Sequence, residues 1–274
     1  MSAEHTNLKS KKMNPILNVK NLTMEFGGLK ALNGIDLEIG KNEIVALIGP
    51  NGAGKTTFFN CITGIYNPTD GDIYISKDLI KYDRLNGLKP HLVTRKGMAR
   101  TFQNIRLFPT MTVLENVMIG RHCRTSAAII GAVLKNKKTR EEEQEIVNVS
   151  YKILKKIGIE QYVNELAENL PYGVQRRLEI ARALSTDPFI LLLDEPAAGM
   201  NPQETNELDD LIIKIRDEEG ISILLIEHDM KLVMSLSNRI YVMDYGKKIA
   251  HGTPEQIKNN PAVIKAYLGE DLDA

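Results

Sequence analysis

Hydrophobic positions along this chain change period several times, and each change predicts an element. From Ile16 onward apolar and polar residues alternate: Ile16, Leu17 and Val19 precede Leu22, Met24 and Phe26, and Ile35, Leu37 and Ile39 follow, as in half-buried strands. Asn33-Gly34 and Gly40 predict turns within this stretch. Residues 43–48 (EIVALI) form a nearly unbroken β-favouring apolar run, the pattern of a central parallel strand covered on both faces, and residues 189–193 and 221–226 repeat it. A helix is expected at 55–64, and Gly71-Asp72 leads into a short strand at 73–75. Ile146, Val149, Ile153, Leu154 and Ile157 stand at helical spacing behind a Thr139/Glu142 capping box, with Gly158 as the stop. Further helices are expected from about Gln175 to Thr186 and from Asn201-Pro202 to Gly220, the second with Leu208, Leu211, Ile212 and Ile215 on one face. Residues 239–243, the Tyr245-Gly246 turn and residues 248–250 read as a hairpin, followed by a capped helix at Thr253-Pro254-Glu255-Gln256. Buried strands alternating with helices imply an α/β, doubly wound core with a parallel sheet; the antiparallel opening and the helical middle are additions to it.

Composition narrows the classes. In 274 residues, 35 Lys+Arg balance 35 Asp+Glu, so no overall basic field draws the chain to nucleic acid or anionic lipid. Two cysteines, Cys61 and Cys123, cannot build a disulfide scaffold and fit a reducing compartment. The longest apolar stretch, residues 126–134, is about half the ~20 residues that span a bilayer. The polar start, MSAEHTNLKSKK, has no secretory apolar segment; residues 1–13 read as a disordered lead, with Met13 a second candidate start. A cytoplasmic protein is expected. Arg121-His122-Cys123-Arg124, the apolar residues 127–134 and Lys135-Asn136-Lys137-Lys138 admit two readings, a short helix packed in the helical region or a membrane-surface contact; the first is preferred.

Chemistry concentrates in five places. Gly49-Pro50-Asn51-Gly52-Ala53-Gly54-Lys55-Thr56 satisfies the phosphate-binding loop pattern between a buried strand and a helix: glycines let backbone N–H groups turn onto an anion, and the helix N-terminus adds its positive end. Lys55 then neutralises the β/γ-phosphates and the Thr56 hydroxyl ligates Mg²⁺. Ile190-Leu191-Leu192-Leu193-Asp194-Glu195-Pro196 ends a hydrophobic strand in two acids, Asp194 to hold Mg²⁺ and Glu195 to act as general base on the attacking water. His228 follows the third buried strand and reaches the same sheet edge. Gln103, in Arg100-Thr101-Phe102-Gln103, stands between the antiparallel and helical regions. Leu170-Pro171-Tyr172-Gly173-Val174-Gln175 feeds a helix whose free N–H groups offer a second anion contact.

In this order the five elements resemble an ATP-binding cassette (ABC) ATPase over residues 14–270. The resemblance implies a P-loop NTPase core (14–104 and 181–252) with an N-terminal antiparallel subdomain, a helical subdomain at about 105–180 and a helical tail at 253–274. It makes Gly49 to Thr56 the Walker A loop, Asp194-Glu195 the end of Walker B, Gln103 the Q-loop glutamine and a further metal-site residue, Leu170 to Gln175 the signature, and His228 the switch histidine. ATP would contact Phe26 by stacking, the loop with Thr57, Gln103, and the signature residues Tyr172, Gly173 and Gln175. Two stretches depart from the family: Pro171, Tyr172 and Val174 replace the serine, first glycine and glutamine of Leu-Ser-Gly-Gly-Gln, and Ala198-Gly199-Met200-Asn201 replaces Ser-Ala-Leu-Asp. Loss of the serine removes a charge-assisted hydrogen bond of roughly 1.5–3 kcal/mol, which weakens that anion contact without abolishing it. The same stretches, with Arg176-Arg177-Leu178-Glu179-Ile180, Ile226-Glu227-His228-Asp229-Met230 and Ala266-Tyr267-Leu268-Gly269, are similar to the branched-chain amino acid uptake ATPases. That similarity implies two transmembrane permease subunits, a second ATPase chain (sibling or identical) bound head-to-tail, an extracytoplasmic solute-binding protein, no nucleic acid, and a place on the inner face of the cell membrane. The alternatives are a related amide, urea or lipid-export ATPase, a soluble non-transport ABC ATPase, and a nucleotide-binding regulator without catalysis.

Overall fold

Two sheets divide the work in the computed structural model, which describes residues 14–124 and 137–268. The expected disordered lead at 1–13 and the apolar residues 127–134, with both readings of that segment, lie outside the described residues. The first sheet is antiparallel: β1 (Leu17–Phe26) pairs with β2 (Leu29–Ile39) on one side and β4 (Asp70–Ile75) on the other, and β4 with the short β5 (Asp83–Arg84). Asn33-Gly34 is not a turn; it lies inside β2, where Gly34 takes φ +67° and the register slips between the Leu22–Ile35 and Met24–Leu32 pairs. The irregularity lets Leu32, Ile35, Leu37 and Ile39 all face the core, while Gly27-Gly28 makes the reversal.

The second sheet has the order β10-β9-β3-β8-β7-β6: β3 (Ile44–Ile48), β6 (Met98–Arg100), β7 (Ile190–Asp194), β8 (Ser222–Ile226) and β9 (Arg239–Asp244) run parallel, and β10 (Lys247–Gly252) pairs antiparallel at the edge. The three apolar runs read from the sequence are β3, β7 and β8, every residue of which is buried. In chain order the helices are α1 (Lys55–Ile62), α2 (Pro90–Arg95), α3 (Val113–Arg121), α4 (Lys137–Ile157), α5 (Tyr172–Leu184), α6 (Pro202–Glu219), α7 (Met230–Leu236), α8 (Pro254–Lys258) and α9 (Pro261–Leu268).

Local signals act largely as read. Asn201 caps α6 through the amides of Gln203 and Glu204, Glu204 reciprocates, and Gly220 closes the helix in the left-handed conformation. Thr253 and Gln256 form the same reciprocal box on α8. α4 is already formed at Lys137, so Thr139 lies within the helix and is not its cap. The helices α3, α4 and α5 do not stand apart: Val117, Leu154 and Leu178 belong to one apolar cluster with Leu191 and Leu193 of β7 and Ile212 of α6. Each such buried side chain contributes roughly 1.5–3 kcal/mol, so the helical middle is fixed to the sheet that carries the chemistry. Among the described residues no helix is long and apolar enough to cross a membrane.

Candidate functional site

Because β3, β6, β7, β8 and β9 are parallel, their C-terminal ends share one edge, and the candidate residues follow them: the glycine loop after β3, Gln103 after β6, Asp194 and Glu195 at the end of β7, His228 after β8. Such an edge is where open α/β sheets bind ligands.

The loop is shaped by its neighbours. Gly49 has φ +152°, and a Cβ there would stand 2.0 Å from the Met243 carbonyl oxygen; at Gly54, φ +100°, it would stand 2.7 Å from that of Ala31. Only glycine fits either place, because backbone of β9 and β2 presses on the loop. The Ala53 carbonyl accepts from Gly246 N at 3.0 Å, tying the loop to the β9–β10 turn. Lys55, buried, extends along the loop and donates from Nζ to the carbonyls of Gly49 (2.6 Å) and Pro50 (2.9 Å). Thr56 and Thr57 occupy the first turn of α1. Phe26, at the end of β1, is half exposed and meets Tyr66 edge-on at 5.3 Å between ring centroids. The exposure separates it from an ordinary core phenylalanine, and Tyr66 had no sequence signal of its own.

Beside the loop, Glu195 gathers two of the residues singled out in the sequence. One carboxylate oxygen accepts from Gln103 Nε2 at 2.7 Å, and the other is 2.8 Å from His228 Nε2. Residues separated by 92 and 33 positions thus meet on one carboxylate. Its backbone takes φ +48°, a left-handed conformation that costs a non-glycine residue on the order of 1–2 kcal/mol. Glu195 N donates to the Ile226 carbonyl at 2.9 Å, which pins that conformation to β8. Asp194 is buried, and Arg100 donates to its Oδ2 at 2.7 Å while reaching Asn60 Oδ1 of α1 at 2.8 Å. Sequence reading passed over Arg100, which links β6, β7 and α1 at this edge.

The signature residues are engaged differently. Tyr172 opens α5; its hydroxyl donates to the Ala198 carbonyl at 2.9 Å and receives a hydrogen bond from Arg176 at 3.2 Å. Arg176, fully buried, also donates to the carbonyls of Phe102 (2.7 Å) and Gln103 (2.8 Å) and pairs with Glu179 at 2.9 Å. Burial pushes the Glu179 carboxyl upward in pKa, with Arg176 pulling against it. At Gly173 a Cβ would stand 2.7 Å from Glu204 Oε1 in the first turn of α6, so a larger residue there would displace that carboxylate. Gln175 turns back onto the Leu170 carbonyl at 2.9 Å. This end of α5 therefore joins the Gln103 segment to the loop after Glu195, and the side-chain hydrogen bonds of Tyr172 and Gln175 run to Ala198 and Leu170 rather than to the phosphate loop. Cys61 is buried on α1, and burial raises its thiol to about 11, so it is chemically quiet.

Comparison with known proteins gives a consistent outcome. Residues 32–198 match the ABC transporter family, and residues 247–273 match a second family, the branched-chain amino acid ATP-binding cassette transporter. The chain is 52% identical over 256 residues to the high-affinity branched-chain amino acid transport ATP-binding protein LivG of Escherichia coli K12, covering 93% of this chain and 98% of that protein. It resembles the crystal structure of the ADP conformation of an ATP-binding cassette of an ABC transporter, with TM-score 0.79 and 31% identity over 93% of this chain and 99% of that one. It also resembles a dimeric post-hydrolysis ATP-binding cassette bound to ADP and phosphate, with TM-score 0.71 and 26% identity over 87% and 98% of the two chains.

Proposed function

The chain belongs to the ABC transporter family, and we propose that it is the ATP-binding and hydrolysing subunit of an importer for branched-chain amino acids, working on the inner face of the cell membrane. One observation carries the catalytic part of this reading: the Glu195 carboxylate held between Gln103 and His228 at the edge where the phosphate loop opens. The transported solute rests on the likeness to LivG and on the match of residues 247–273.

The geometry supports the following roles. The loop's amides and Lys55 bind the phosphates, with Phe26 and Tyr66 as an aromatic surface for the base. Glu195 takes a proton from the attacking water; an ionised carboxylate has about four acceptor positions, so the contacts to Gln103 and His228 leave room for one more. His228 and Gln103 fix the direction in which that carboxylate points. For Mg²⁺ the donors that fit are the buried Asp194 carboxylate and the Thr56 hydroxyl, with the Gln103 side-chain oxygen as the third candidate; its amide nitrogen is committed to Glu195. An ion of this kind is bound by one or two carboxylates together with the substrate's phosphates. When bound, the ion neutralises phosphate charge. The start of α5, where Tyr172 is half exposed, is suited to nucleotide held by a second cassette placed head-to-tail, and permease subunits would receive the resulting motion.

The test is Glu195→Gln. Phosphate release should fall at least ~100-fold, Mg-ATP binding should persist, and ATP should drive a stable dimer seen by size-exclusion chromatography. Uptake of leucine, isoleucine and valine by vesicles carrying the whole transporter should stop. Native turnover in the variant would remove Glu195 from the base role.

A further inference from the structure

Directly after β8 stands a carboxylate for which the roles above have no use. Glu227 is 5% exposed. One of its oxygens accepts the Ala197 amide at 2.9 Å and the other accepts the His228 amide at 3.1 Å. Ala197 lies two residues beyond the strained Glu195, and His228 is the residue that touches the Glu195 carboxylate. Glu227 therefore grips the backbone on both sides of the Glu195–His228 contact, from a site inaccessible to solvent.

Its chemistry is costly for a merely structural residue. Burial pushes the Glu227 carboxyl upward in pKa, opposed by the amides of Ala197, His228 and Asp229, while the negative charge of Glu195 adds to the upward push. His228, Asp229 and Asp209 of α6 are the other titratable groups facing it. The upward direction means that the folded surroundings disfavour the charged form relative to the unfolded chain. A neutral residue able to accept a hydrogen bond would be cheaper for folding. A full carboxylate can hold amides from two loops at once, through charge-assisted bonds that a hydroxyl or amide oxygen makes less strongly.

We propose that Glu227 is a positioning residue for hydrolysis: its carboxylate clamps the loop after Glu195 to the loop that carries His228, and so sets the distance and direction between the base and the histidine. The inference rests on the reading of Glu195 as the base. Glu195 can hold its left-handed backbone only if the surrounding structure over-determines it. The Ile226 carbonyl fixes the residue from one side and the Glu227 bond to Ala197 fixes the chain that leaves it. Nucleotide affinity, which depends on the loop after β3, lies outside the clamp.

The experiment uses the full-length chain with Glu227→Gln, whose single side-chain oxygen can serve one loop but not both, alongside Glu227→Ala. Three quantities are read on each preparation: kcat and KM for Mg-ATP, the dissociation constant for ATP, and the thermal midpoint. Glu227→Gln should lower kcat about tenfold while KM, the ATP dissociation constant and the midpoint stay within twofold or a few degrees of native; Glu227→Ala should lower kcat at least as far. Native kcat in Glu227→Gln overturns the proposal. So does a fall in kcat that only tracks a lowered midpoint or weakened ATP binding, because that is the signature of damaged folding. If Glu227→Ala does not fold, Glu227→Gln decides alone. Glu195→Gln separates the two levels: full turnover there removes the base reading itself, whereas its loss combined with native turnover in Glu227→Gln removes only the clamp.

Discussion

The nucleotide edge and the signature end are built on opposite principles. At the edge, side chains delivered by parallel strands are tied to one another: Arg100 to Asp194, Gln103 and His228 to Glu195, Lys55 to its own loop. At the start of α5 the polar side chains are tied inward and away from a ligand, Tyr172 to Ala198, Arg176 to Phe102 and Gln103, Gln175 to Leu170. The difference teaches that, with Pro171 where the family's serine would stand, the side chains at this end serve as a brace between segments.

The largest effect is expected from breaking the edge. Arg100→Met leaves Asp194 as a buried carboxylate without its cation, and chemical denaturation should show a loss of ~3–5 kcal/mol. Lys55→Ala should weaken ATP binding about 100-fold with little change in fold, measured by titration with a fluorescent nucleotide; ordinary affinity would contradict the phosphate-loop assignment. Tyr172→Phe should sharpen the contrast, since it removes only the hydroxyl that joins α5 to Ala198. Binding of ATP by the single chain should be unchanged, while ATP-driven dimerisation or turnover should drop by a factor of about 5–10, in line with roughly 1 kcal/mol for the lost bonds. The smallest effect concerns α6, which lies beside both regions. Burial and then the charges of Asp210, Asp229 and Glu227 raise Asp209 to about 6. A carboxyl with a raised pKa in the folded state favours folding when protonated and loses that contribution as pH rises from about 4 through about 6. Asp209→Asn should therefore raise the melting temperature at pH 8 more than at pH 4.

Much of this was legible because its causes are local. The glycine loop is written in consecutive residues, and β3, β7 and β8 announce themselves as apolar runs ending at one edge, which is enough to place Asp194, Glu195 and His228 there. Other features depend on distant partners. β6 is three residues long, too short for any period, yet it brings Gln103 to Glu195. Arg100 and Asp194 are separated by 94 positions, and nothing around Arg100 marks it as a buried ion-pair residue. The α3 helix escaped notice because its nine residues bury only Val113, Asn116 and Val117, although Thr112 and Glu115 form a capping box in front of it. Asn33-Gly34 misled because the same dipeptide serves a turn or a bulge, and only the neighbouring strand decides which.

The tight approach of Met243 to Gly49 and of Ala31 to Gly54 has a consequence for the resting protein. Strands on two sides cast the phosphate cradle before any nucleotide arrives, so its shape is a property of the folded scaffold. Loading and emptying should leave the path of the cradle's backbone unchanged, its phosphate-facing amides gaining protection from hydrogen exchange only while nucleotide is held, and the energy of ATP is then free to act elsewhere, in the loops that surround Glu195.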